Sequence, residues 1–146
     1  MKQSMKKSRR MRPLRRVAES KEQQAATELG QAQQQLQAQI NRLNELQNYK
    51  DEYLGRYQQT GQNGISVDRL QSFRSFLDKL ELAVEQQKQA VKIAEELVDK
   101  RKRQWFSSRD KVKIFDNVIS RIVDQELQKE EKQEQKESDD RAQRSS

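Results

Sequence analysis

From Leu70 to Ile122 the chain places a seam residue at alternating steps of three and four without a break. The series is Leu70, Phe73, Leu77, Leu80, Val84, Gln87, Val91, Ala94, Val98, Arg101, Trp105, Ser108, Val112, Phe115, Ile119 and Ile122. Such spacing is the seam of a coiled coil. A seven-residue repeat sustained this far drifts around a straight helix, so a partner helix has to supercoil left-handedly to stay in contact. A second series, Leu29, Ala32, Leu36, Ile40, Leu43, Leu46, Tyr49, Tyr53 and Tyr57, averages about 3.5 residues per step, the period of the same seam. Between the two lies Gly61-Gln62-Asn63-Gly64. The pattern predicts an all-α fold: one long antiparallel two-helix coiled-coil hairpin with flexible termini.

Helices rise equally per residue, so antiparallel partners have position numbers of constant sum, here about 126 to 127 if the seams meet. Tyr53 then faces Phe73, Tyr49 faces Leu77, Leu46 faces Leu80, Leu36 faces Val91 and Leu29 faces Val98. The turn has the chemistry of a reversal. Gly61 is suited to the left-handed position that ends the first helix, Ser66 to capping the second, and Ile65 to stapling onto Leu70. Asp68 suits the positive end of that helix's dipole. The organisation read from this is a basic arm over 1–16, a hairpin over 17–129 and a polar tract over 130–146 expected to be disordered. Within the hairpin, the first helix covers about 17–60, the turn 61–65 and the second helix about 66–129.

Composition agrees with a seam and not with a wide core, since 32% of the 146 residues are hydrophobic and 36% charged. No apolar run reaches the length of a membrane span, and the basic N-terminus lacks a following hydrophobic stretch, so a cytoplasmic protein without direct membrane insertion is expected. The chain has no cysteine and no histidine, which removes disulfides, thiolate zinc sites and the commonest general base and metal ligand. With no phosphate-binding glycine loop either, no catalytic residue, cofactor or metal site is expected. The first sixteen residues hold Lys2, Lys6, Lys7, Arg9, Arg10, Arg12, Arg15 and Arg16 without an acid, and the remaining 22 basic against 23 acidic residues come to −1, so the whole excess of +7 lies in that first stretch. Pro13 interrupts them and disfavours helix at Arg12, giving a separate arm or a kinked extension. Met11 and Leu14 have the spacing to prolong the seam past it.

A polybasic arm can bind phosphates or acidic lipids, or it can be a solvated tail. It contains no aromatic residue to stack on bases, and no nucleic acid is expected as a partner. The glutamines from Gln23 to Gln39 read as helix-compatible surface. Acid pairs such as Glu95 and Glu96 lie among lysines and read as solvated faces. Gly30, which costs about 1 kcal/mol relative to alanine inside a helix, marks a close approach or a weak point.

Two apolar groups exceed what a narrow seam needs. Near the turn, Phe76, Ala83, Ala90 and Leu97 form a second column beside the seam, with Leu46, Tyr49 and Tyr53 on the facing arm. No third helix covers that column, and exposed apolar area of this kind marks an interface, although thickening of the hairpin core is the plainer explanation. At the open end, Val17 lies level with about residue 110 on the expected register. Val112, Phe115, Ile119 and Ile122 then overhang as an apolar stripe flanked by the basic arm.

The residues Leu46-x-x-Tyr49-x-x-Glu52-Tyr53 before the turn, with Gly64-Ile65 and Phe73-x-x-Phe76-x-x-x-Leu80-x-x-Ala83 after it, resemble the flagellar type III export protein FliJ family. The likeness in motif runs from Leu46 to Gln87, and virulence-system stalk proteins share the architecture. It implies a non-enzymatic stalk, similar to the two-helix stalk of a rotary ATPase gamma subunit, set in the hexameric flagellar export ATPase. It further implies contact with the cytoplasmic domain of the export-gate membrane protein through Leu46, Tyr49, Tyr53, Phe76, Leu80, Ala83 and Gln87, and handling of export chaperones at no assigned residues. Arg42 and Gln87 depart from the family pattern, where a Gln and a His are found. With that resemblance, the open-end group becomes the expected ATPase-ring contact: Arg9, Arg10, Arg15 and Arg16 with Val112, Phe115 and Ile119. The competing readings are a basic-arm binder of nucleic acid or anionic membrane and a purely structural coiled-coil spacer.

Overall fold

The computed structural model describes residues 6–145; Met1 to Met5, with Lys2 of the basic arm, and Ser146 lie outside the described residues. Two long helices, α1 (Lys7–Gln62) and α2 (Val67–Ser145), pack against each other, which is the all-α hairpin class expected. Among the described residues there is no strand, and no helix is long and apolar enough to cross a membrane.

The turn closes on short backbone bonds. The Asn63 N–H donates to the Thr60 carbonyl at 3.1 Å and the Gly64 N–H to the Gly61 carbonyl at 3.5 Å. Gly64, at φ +84°, is the left-handed residue. The expectation had placed that conformation at Gly61. α1 instead runs on through Gln62, so the residue just past the helix cap, where a left-handed glycine ends a helix, is Gly64. Ser66 caps α2 as expected: its Oγ accepts from the Arg69 N–H at 3.3 Å and its carbonyl from the Leu70 N–H at 3.0 Å.

The chain divides into two compact units. The first to consider, Thr27–Arg103, contains the turn. Its α2 seam residues from Leu70 to Arg101 are all at least half-buried, with Leu80, Val84, Gln87, Val91 and Val98 best covered. On α1, Leu29, Ala32, Leu36, Ile40, Leu43, Leu46, Tyr53 and Tyr57 are covered, while Tyr49 stays exposed. The register is fixed by two pairs at the expected sum. Tyr53 stacks on Phe73 with ring centroids 4.3 Å apart, and Gln87 donates through Nε2 to the Gln39 carbonyl at 2.9 Å and to its Oε1 at 2.7 Å. A buried amide satisfied by one partner position penalises every shifted alignment. Gly30 is no close approach, since a Cβ there would meet nothing within 4 Å.

The other unit joins Met1–Ala26 to Gln104–Ser146. Here α1 carries a stripe of small and polar residues: Ser8, Ala18 and Ala25 are buried, and Met11, Arg15 and Glu22 are half-buried. α2 supplies the bulk with Trp105, Val112, Phe115, Ile119 and Ile122. Leu14 and Val17, the branched apolar residues of α1 in this unit, are more than half exposed at 52% and 54%.

Three expectations are corrected in this unit. Of the two readings of the basic stretch, residues 7–16 are an extension of the first helix and not a separate arm: α1 begins at Lys7 and carries Pro13 inside it. The proline removes a single backbone donor, and the surrounding turns are held by side chains of α2, described below. For the same reason Val112, Phe115, Ile119 and Ile122 do not overhang, because the first turns of α1 cover them and all four are at least half-buried. Finally, 130–145 is helix and not a disordered tract, with every side chain exposed. Its Glu, Lys, Gln and Arg residues are strong helix formers that need no buried face to favour that state.

Gly64→Ala should destabilise the protein by about 1–2 kcal/mol, the cost of forcing an L side chain into the left-handed region. No added clash enters, because nothing lies within 4 Å of the new Cβ. Gly61→Ala, inside α1, should stabilise by about 0.5–1 kcal/mol. Urea unfolding of the two variants checks both, and equal shifts would contradict the turn assignment.

Candidate functional site

Near the turn, five aromatic rings from the two arms form one cluster. Tyr57 stacks on Phe73 at 3.9 Å, Tyr53 lies against Phe73 and Phe76 at 4.3 and 4.6 Å, and Tyr49 meets Phe76 edge-on at 6.3 Å. The rings closest to the turn lie in the seam, while Tyr49 and Phe76 emerge from it at 45% and 37% exposure. Stacked and edge-to-face rings hold one another's orientation. The exposed pair is therefore presented on a rigid base.

The seven residues named for this surface fall into two groups. Tyr49 and Phe76 are exposed, and Leu46, Tyr53 and Ala83 are half-covered. Leu80 and Gln87, at 7% and 8% exposure, lie in the interface between the arms, where Gln87 spends its amide on Gln39. The partner Gln39 was not identified from sequence. A glutamine at a seam position is the signal that could have found it, since its amide requires a polar group at the matching register position.

At the open end, Arg9, Arg10 and Arg16 are exposed. Arg15 is engaged: its Nε donates to Asp116 and its Nη1 to Glu19 at 2.8 Å. Val112, Phe115 and Ile119 sit between the arms. Glu126 of α2 accepts from the backbone N–H of Ser8 at 3.2 Å and from its Oγ at 2.9 Å, so the first turn of α1 is capped by a carboxylate from the other helix. Partial burial pushes the Glu126 carboxyl up, but the two Ser8 bonds and the Lys6 charge outweigh it and leave it below the usual range. The ammonium of Lys6, bonded to Glu130 at 2.6 Å, is raised above its ordinary value by that bond and charge. The guanidinium of Arg15 is raised in the same way by Asp116.

A further cluster had no place in the sequence reading. Trp105 donates through Nε1 to Glu22 at 2.9 Å, and the Arg109 guanidinium lies 5.1 Å from the Trp105 ring and 5.0 Å from the half-exposed Phe106. Arg109 Nε is buried without a hydrogen-bond partner and is held against the two rings by cation–π attraction. Among the described residues, no group of acidic side chains converges to hold a metal ion.

Over residues 6–146 the chain matches the family model described as "Flagellar FliJ protein". Neither a search of curated proteins nor one of solved structures found a match.

The carboxylate cap is open to a direct test by pH titration followed by NMR. The Ser8 amide resonance should report Glu126 titrating below the ordinary range of a free glutamate. Ser8→Ala should raise that midpoint. Because the folded value is depressed, the stabilisation is present above the unfolded value and is lost as pH falls through the folded one. A midpoint unmoved by Ser8→Ala would remove the cap from the account.

Proposed function

With the chain belonging to the flagellar FliJ family, and so a component of the flagellar export apparatus, we propose that it is the non-enzymatic helical stalk of the export ATPase ring. In this reading it promotes ring function, contacts the cytoplasmic domain of the export gate and handles export chaperones, working on the cytoplasmic face of the inner membrane. The observation that supports the gate contact best is the exposed Tyr49–Phe76 pair on its stacked aromatic base. Aromatic anchors of this kind carry a disproportionate share of binding energy at interfaces. Leu46, Tyr53 and Ala83 flank the pair, and Leu80 and Gln87 hold the two arms in the register that creates it.

Phe76→Ala should therefore weaken binding of the gate's cytoplasmic domain by about 2 kcal/mol or more, with helix content retained. Isothermal titration of the purified proteins reads this, and unaltered affinity would defeat the assignment. Leu80→Ala is a different experiment. It empties a buried site, and its first effect should be a loss of stability of about 2–5 kcal/mol.

For the ATPase ring, the proposed contacts are the exposed Arg9, Arg10 and Arg16. Arg15, Val112, Phe115 and Ile119 act from between the arms by holding that end of α1 in place. Supporting this division is the engagement of Arg15 with Asp116 and Glu19, whereas Arg9, Arg10 and Arg16, like Lys7 and Arg12 beside them, are exposed. Replacing Arg9, Arg10 and Arg16 by Gln should abolish stimulation of ATP hydrolysis by the export ATPase while leaving the Ser8–Glu126 contact intact. Full stimulation by the triple variant would count against the contact.

A further inference from the structure

Between the last turns of α1 and the first turns of α2 in the Thr27–Arg103 unit lies a cleft of about 290 Å³. Its floor is the stacked set of Tyr53, Tyr57 and Phe73, and Ile65 closes the end beside the turn. Arg56 stands on the α1 rim and Arg69 on the α2 rim, and no acidic residue lines the space. Neither guanidinium forms an ion pair with a carboxylate of the described chain, although the chain carries 23 acids. The hydroxyl of Ser72, also on the rim, makes no hydrogen bond among the described residues and is free to donate to a ligand.

These features select a ligand by three separate criteria. Two cations without an internal counter-charge call for an anion, and a planar guanidinium matches a carboxylate with two parallel hydrogen bonds. An aromatic floor calls for an apolar group beside that anion, since a bare oxyanion would leave the rings facing water. The volume lies at the lower limit of ligand pockets, about 300 Å³, which suits one or two side chains and is too small for a whole helix.

We propose that this cleft takes an acidic–apolar segment of a partner protein. An Asp or Glu carboxylate is clamped by Arg56 and Arg69, and a neighbouring apolar side chain rests on Tyr57 and Phe73. The proposal stands whichever protein supplies the segment, and it does not depend on the gate contact at Tyr49 and Phe76.

The test uses the full chain and a fluorescein-labelled peptide in which glutamates alternate with leucine and phenylalanine, read by fluorescence anisotropy. A second peptide has glutamine in place of each glutamate. The acidic peptide should bind, more weakly as salt is raised, and the glutamine peptide should bind about tenfold less tightly or worse. The double variant Arg56→Gln, Arg69→Gln should lower affinity for the acidic peptide by about tenfold or more. Both side chains are exposed, so the variant should keep its helix content, checked by circular dichroism. Equal affinity for the two peptides, unaltered binding by the double variant, or no binding of the acidic peptide by the native chain would each overturn the proposal. So would inorganic phosphate binding more tightly than the acidic peptide, which would make the cleft a free-oxyanion site.

Discussion

A helix with a single neighbour can cover one stripe of its surface and no more, and the rest of this protein follows from that limit. No large side chain among the described residues is completely buried; the best-covered seam residues of α2, Val84 and Val98, each keep 6% of their surface. Cohesion is spread thinly along the seam, each half-covered residue contributing a fraction of its full transfer energy. Polar groups in the stripe are tolerable only when matched. Gln87 has Gln39, Arg101 has Glu28 and Trp105 has Glu22. In so narrow an interface such pairs contribute alignment more than stability.

The same limit explains where aromatic side chains come to the surface. With no third layer, a ring too large for the seam has to leave it, and this happens where aromatic residues crowd both arms near the turn. Phe73 and Tyr53 fill the seam there, which leaves Phe76 and Tyr49 outside it. On the rim of the same cluster the unpaired Arg56 and Arg69 border an aromatic floor. In the unit that joins the two chain ends the relation is reversed. The seam of α1 there is made of Ser8, Met11, Arg15, Ala18, Glu22 and Ala25, and the branched Leu14 and Val17 lie outside it beside Lys21, Lys111 and Phe115.

How legible this was depended on side-chain size. Every seam residue read along α2, from Leu70 to Ile122, is covered, because large apolar residues repeat there and polar exceptions are few. Along α1 the repeat was legible from Leu29 onward and illegible before it. Ala18 and Ala25 continue the spacing of Ala32, but alanine is common on either face of a helix and carries little directional signal. Of the two residues considered as a continuation past Pro13, Met11 is half-buried and Leu14 is exposed. The surface named by the family motif was legible only in part. The motif mixes seam and flank positions, so Leu80 and Gln87 were grouped with Tyr49 and Phe76 although the two pairs face opposite ways, into the interface and out to solvent.

The amino-acid order alone determined the helical class, the antiparallel pairing, its register at Tyr53–Phe73 and Gln39–Gln87, and the family. Each of these is periodic information, and periodicity survives in one dimension. Which glycine reverses the chain, which carboxylate caps α1, how far helix extends past Pro13, and which aromatic rings face outward were decided only by the folded pair. Those outcomes depend on distances between side chains far apart in the chain. Ser8 and Glu126 are neighbours only because the two arms lie side by side.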